Sequence, residues 1–70
     1  MQRQPVSSSR IISIGYDETA QVLEIQFRDA GIYQYIGVPN RIYQDFVVVV
    51  SKGRFYDGVI KGKYLCRKTG

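Results

Sequence analysis

Apolar and polar residues alternate twice in the first half of the chain, and the apolar spacing then lengthens from two residues to three and four. From Arg10 to Tyr16, Ile12, Ile14 and Tyr16 fall on one face, which predicts a strand. Asp17-Glu18-Thr19-Ala20 reads as a polar turn. From Gln21 to Arg28, Leu23, Ile25 and Phe27 alternate with Glu24 and Gln26, the clearest strand pattern present. Asp29-Ala30-Gly31 then suits a three-residue hairpin loop with Gly31 in the left-handed position. That loop sets Arg28 opposite Ile32, Phe27 beside Tyr33 and Ile25 beside Tyr35. Both tyrosines then share the core face of the preceding strand.

Pro39 ends the third strand and suits the first turn of a helix, where its missing N–H costs nothing. Ile42, Tyr43, Phe46, Val49 and Val50 follow at helical steps. Val47 to Val50 are four β-branched residues in a row and favour a strand, but the Ile42–Phe46–Val49 stripe continues from the proline and argues for helix. Ser51 reads as the N-cap of a second helix that buries Phe55, Tyr56, Val59 and Ile60. Gly53 and Gly58 each weaken that helix by about 1 kcal/mol relative to alanine, and Gly62 ends it. The expected fold is α+β, a three-stranded antiparallel β-meander followed by two α-helices packed on one face. Residues 1–9, with Pro5 and Ser7-Ser8-Ser9, read as a flexible lead-in. Residues 10–64 form a single domain, and residues 65–70 a basic tail.

The other face of the predicted sheet carries Ile11, Ser13, Val22, Glu24, Gln26, Ile32, Gln34 and Ile36. Four of these eight are aliphatic, more than a fully wetted face usually shows. Ile11, Val22, Ile32 and Ile36 therefore mark an interaction face for the tail, a second copy of the chain or a protein partner.

Composition narrows the chemistry. Seventy residues with 44% hydrophobic content and nine aromatics support one small compact domain. Cys66 is the sole cysteine, so no intramolecular disulfide or multi-cysteine metal site can form. A reducing, cytoplasmic setting fits. Met1 to Arg10 lacks the apolar stretch of a signal peptide, and no apolar run approaches a membrane span. There is no histidine, which removes the usual general base and the commonest metal ligand. Gly58 to Tyr64 lacks the spacing of a phosphate loop, and Ser51-Lys52 has no oxyanion hole to make a nucleophile pair useful. A non-enzymatic protein without cofactor or metal is expected.

Charge supplies the functional lead. Residues 1–50 hold four arginines against five acids, whereas residues 51–70 hold six cations against Asp57 alone, a net of +5. Aromatics interleave with these cations in Arg54-Phe55-Tyr56 and Lys61-Gly62-Lys63-Tyr64. Cations that neutralise phosphates beside aromatic faces that stack bases are the means of holding single-stranded nucleic acid. Lys52, Arg54, Lys61, Lys63, Tyr64 and Arg67 are the candidate contacts for RNA or single-stranded DNA. The alternative is a protein-interaction or homodimerisation module using the outer sheet face.

Several ordered pieces resemble one family. Val6-Ser-Ser-Ser9, Ile14-Gly15-Tyr16-Asp17, Leu23 to Phe27, Tyr33-Gln34-Tyr35, Val38-Pro39, Tyr43 and Ser51-Lys52-Gly53-Arg54-Phe55 together look like the KTSC domain over about residues 6–64. This small bacterial domain is named for the C-terminus of some lysyl-tRNA synthetases and also stands alone, the form this chain resembles. The resemblance implies no established activity, and its synthetase context suggests RNA. Family members often carry asparagine and a basic residue after the aromatic pair, where this chain has Asp57 and Gly58. That places a negative charge inside the basic segment.

Overall fold

The computed structural model describes all 70 residues. Its sheet has five strands rather than the expected three. They are β1 (Arg3–Pro5), β2 (Ile11–Asp17), β3 (Val22–Phe27), β4 (Gly31–Ile36) and β5 (Leu65–Lys68), in that spatial order. Every pairing is antiparallel. The two added strands are the segments read as lead-in and tail. Their lengths of three and four residues, and the Pro5 within β1, left no alternation to read.

Between β4 and β5 run helix α1 (Asn40–Val48) and helix α2 (Lys52–Phe55), the latter continuing without a break into a π-helical turn over Tyr56–Ile60. Pro39 occupies the N-cap of α1 in extended conformation, and its carbonyl accepts from Ile42 N at 3.0 Å. The helix stops at Val48, so the β-branched run divides: Val49 packs inward while Val50 is 96% exposed. Ser51 precedes α2, but its hydroxyl caps nothing.

The core comprises Ile11, Ile14, Leu23, Ile25, Tyr35, Val38, Phe46 and Ile60. Ile11 is therefore not on the outer face. A β-bulge between Ile11 and Ser13 inserts one residue into β2, so Ile11 pairs with Phe27 and Ile14 with Ile25, both on the helix side. Ile12, expected in the core, is half-buried and outside it.

The β3–β4 hairpin is also two residues out of the expected register. Phe27 pairs with Gly31, Ile25 with Tyr33 and Leu23 with Tyr35. The loop is Arg28 to Ala30, and Gly31, at φ +92°, opens the strand instead of closing the loop. A shift of two preserves facing, so Tyr33 and Tyr35 still lie on the core side.

The outer face carries one row straight across the sheet. Arg3 lies opposite Gly15, Gly15 opposite Glu24, Glu24 opposite Gln34, and Gln34 opposite Arg67. Arg3 pairs with Glu24 and donates to Ser13 at 3.1 Å. Gln34 donates to Glu24 at 2.9 Å and accepts from Arg67 at 2.8 Å. Burial pushes the Glu24 carboxyl up, but the bonds from Gln34 and Arg3 and the nearby positive charges hold it below its ordinary range. The middle of this face is thus a hydrogen-bonded polar ladder. Its aliphatic residues are confined to the flanks, Val22, Ile36 and Leu65 in one row and Ile32 on the other side.

Candidate functional site

The helical end of the molecule bears two adjoining depressions. The first is a polar groove of about 450 Å³, with Ser7–Arg10 on one bank and Ser51–Arg54 on the other. The second is a cleft of about 340 Å³ between the sheet and the π-helical turn. Arg10 and Asp57 line both. The Arg10 guanidinium donates to Gly53 O at 2.7 Å and pairs with Asp57 at 3.1 Å, so this link forms the ridge between groove and cleft. It also lies close against Gly53. A Cβ there would stand 3.0 Å from the Arg10 guanidinium nitrogens, which is tighter than most real contacts. Around Gly58, in contrast, there is nothing for a Cβ to touch.

The cleft is aromatic. Tyr35 is buried at its floor, and Phe27, Tyr33 and Tyr56 are half-buried walls. Lys61, Asp57 and Cys66 are exposed at the rim. Phe27 meets Tyr33 and Tyr56 edge to face, and so does Tyr35 with Tyr56, at centroid distances of 5.8, 5.0 and 5.9 Å. The Tyr35 and Tyr56 hydroxyls share a hydrogen bond of 2.8 Å. Burial, then that bond, pushes the Tyr35 phenol far above its ordinary value, so it stays protonated. The core pairs Tyr16–Tyr43 and Phe46–Phe55 are stacked instead, at 4.9 and 5.3 Å.

The candidate cations separate into three groups. Lys52 is buried, and its ammonium donates to Val47 O and Val49 O, where it satisfies carbonyls left over at the end of α1. It caps the end of α1 while still lining the polar groove. Arg67 lies on the outer sheet face, bound to Gln34, away from the helices. The side chains of Arg54, Lys61 and Lys63 are exposed and make no hydrogen bond or ion pair within the protein. Arg54 borders the groove and Lys61 the cleft. Tyr64 packs against the core rather than standing free.

Two further residues belong to this region. Arg10 was hidden because its partners lie more than forty residues away. Lys68 is directly opposite Tyr33 in the sheet and shares its side, a position visible only once β5 pairs with β4. No group of three or more His, Cys, Asp or Glu comes together in a way that could hold a metal, and no helix is long and apolar enough to cross a membrane.

The KTSC domain family model matches residues 7–64. The chain is similar to the crystal structure of a KTSC domain protein from Yersinia pestis, at 71% identity and a TM-score of 0.97, over 99% of this chain and 97% of that one. A protein of Tsukamurella paurometabola is 38% identical over 61 residues, 87% of this chain and 91% of its own length. A lysine–tRNA ligase of Nostoc punctiforme is 34% identical over 56 residues, 80% of this chain but 10% of the ligase.

Proposed function

The chain belongs to the KTSC domain family, and on that premise we propose that it is a non-catalytic module that binds the backbone of single-stranded nucleic acid, RNA in the first instance. The observation that carries this reading is the state of the charges at the helical end. Asp57 is the only acid after position 50, and Arg10 from the other half of the chain already neutralises it. Arg54, Lys61 and Lys63 have no such partner, and Lys68 stands beside Tyr33 on the same side. Unpaired cations, with Lys61 lining the aromatic depression and Arg54 the adjoining groove, are suited to phosphates whose bases are not engaged in a duplex. The ligases that carry a similar segment act on tRNA by name, which is consistent with an RNA ligand here.

The interface on this reading comprises Arg54, Lys61, Lys63 and Lys68, without Lys52, Tyr64 or Arg67. Affinity for a short unstructured RNA, measured by fluorescence anisotropy across a salt series, tests it. Steep weakening with salt is expected. No binding at low salt would overturn the reading.

A second reading, self-association through the outer sheet face, is favoured by Leu65. At 78% exposed, it extends the Val22–Ile36 row into an aliphatic flank beside the polar ladder. Light scattering that gives a monomer mass at high concentration would exclude it.

A further inference from the structure

We propose that the aromatic cleft receives one unstacked nucleobase of a bound strand, held between the Phe27, Tyr33 and Tyr56 walls, while Lys61 at the mouth takes the adjoining phosphate. This rests on the nucleic-acid reading above and adds the subsite that would make binding depend on bases.

Four observations carry it. The volume, about 340 Å³, lies at the lower end of the range for small-molecule sites, so it suits one ring system rather than an extended ligand. The rings that line it meet edge to face and none is stacked on another, whereas the stacked pairs Tyr16–Tyr43 and Phe46–Phe55 lie elsewhere. A planar guest can stack on such a ring in the offset arrangement that aromatic pairs also favour. The depth profile runs from a buried tyrosine floor through half-buried walls to a charged rim, which matches a flat apolar group with a polar edge.

The fourth observation is the hydroxyl pair. Tyr35 and Tyr56 share a single hydrogen bond, and neither hydroxyl has another partner in the protein. Donation from the buried Tyr35 leaves the more exposed Tyr56 with a free O–H, the arrangement that avoids a buried unpaired proton. That hydroxyl, with Lys61 and Asp57, gives the cleft donors and an acceptor. An aliphatic side chain in the same space would strip these groups of water without replacing its hydrogen bonds, which is unfavourable. A heteroaromatic base replaces them. The neighbouring serine groove lacks aromatic walls and offers a backbone phosphate only.

The test compares short oligonucleotides that carry bases, RNA and DNA, with an abasic oligomer of equal length and charge at low salt. The base-bearing strands are expected to bind roughly tenfold or more tightly than the abasic one. Tyr33→Leu keeps apolar volume in the wall and should bring the base-bearing strands down towards the abasic affinity. Alkylation of Cys66, the only thiol and a rim residue, with a bulky maleimide should do the same. Equal affinity for base-bearing and abasic strands, weakened alike by Lys61→Glu, overturns the base subsite and leaves the charge-based reading standing. Absence of binding by either oligomer overturns both.

Discussion

Arg3 and Glu24 stand two strands apart in the sheet and still form an ion pair, because Gly15 between them has no side chain to keep them separate. A Cβ at position 15 would lie 2.6 Å from the Gln2 carbonyl oxygen and 3.1 Å from the Arg3 Cγ. The glycine is thus the passage through which β1 is fastened to the ladder.

Gly15→Ala should therefore loosen β1. A loss of about 1–3 kcal/mol is expected from overpacking against backbone, read from chemical denaturation. Amide exchange should quicken first over Arg3–Pro5. Unchanged protection there would mean that the passage is not needed.

Acid should weaken the fold partly through Glu24. Its carboxyl is held below the ordinary 4.5 in the folded chain, so the folded state binds that proton less readily than the unfolded state. The stability it contributes is complete above the unfolded value and is lost as pH falls through the folded one. Glu24→Gln should flatten the stability profile from about pH 4.5 downward. A profile with the slope of the parent chain would contradict this.

Lys52 and Arg54, two residues apart, should respond in opposite ways. Lys52→Met keeps the aliphatic stem but removes the bonds to Val47 O and Val49 O, at a cost of about 1.5–3 kcal/mol. Binding by the folded fraction should be unaffected. Arg54→Glu should leave the melting temperature nearly unchanged and weaken RNA binding.

Lys61→Glu with Lys63→Glu should abolish RNA binding at physiological salt, and neutral replacements should lower the salt slope by roughly one per phosphate contact removed. Arg67→Glu, on the outer face and bound to Gln34, should leave affinity nearly unchanged. Equal losses from both faces would place the interface elsewhere.

What was legible in the chain was whatever repeats over several residues. Leu23, Ile25 and Phe27 announce β3, and the Ile42–Phe46–Val49 stripe announces α1. What was not legible depends on contacts between distant segments. The bulge that turns Ile11 inward has no local signature, since Ile11 and Ile12 are equally suited to a core. The edge strands are too short to show a period. Lys52 reads as a surface cation until the carbonyls at the end of α1 are placed beside it. The cleft escapes for the same reason: its walls come from β3, β4 and the π-helical turn, and nothing local brings Tyr56 beside Phe27 and Tyr35.

The strands lie in the sheet in their order along the chain, and four of the five follow one another before the helices begin. The long closure is the one from Ile36 to Leu65, which brings β5 to β4 across both helices. Contacts that close short loops form early and long closures form late. β5, whose four side chains are all exposed, is thus expected to be the last strand to dock in refolding and the first to open in hydrogen exchange. Because Cys66 at the rim of the cleft lies on that strand, its brief departures would open the rim while the four-strand body stays folded, and a ligand seated there would be expected to slow exchange in β5 before any other part of the sheet.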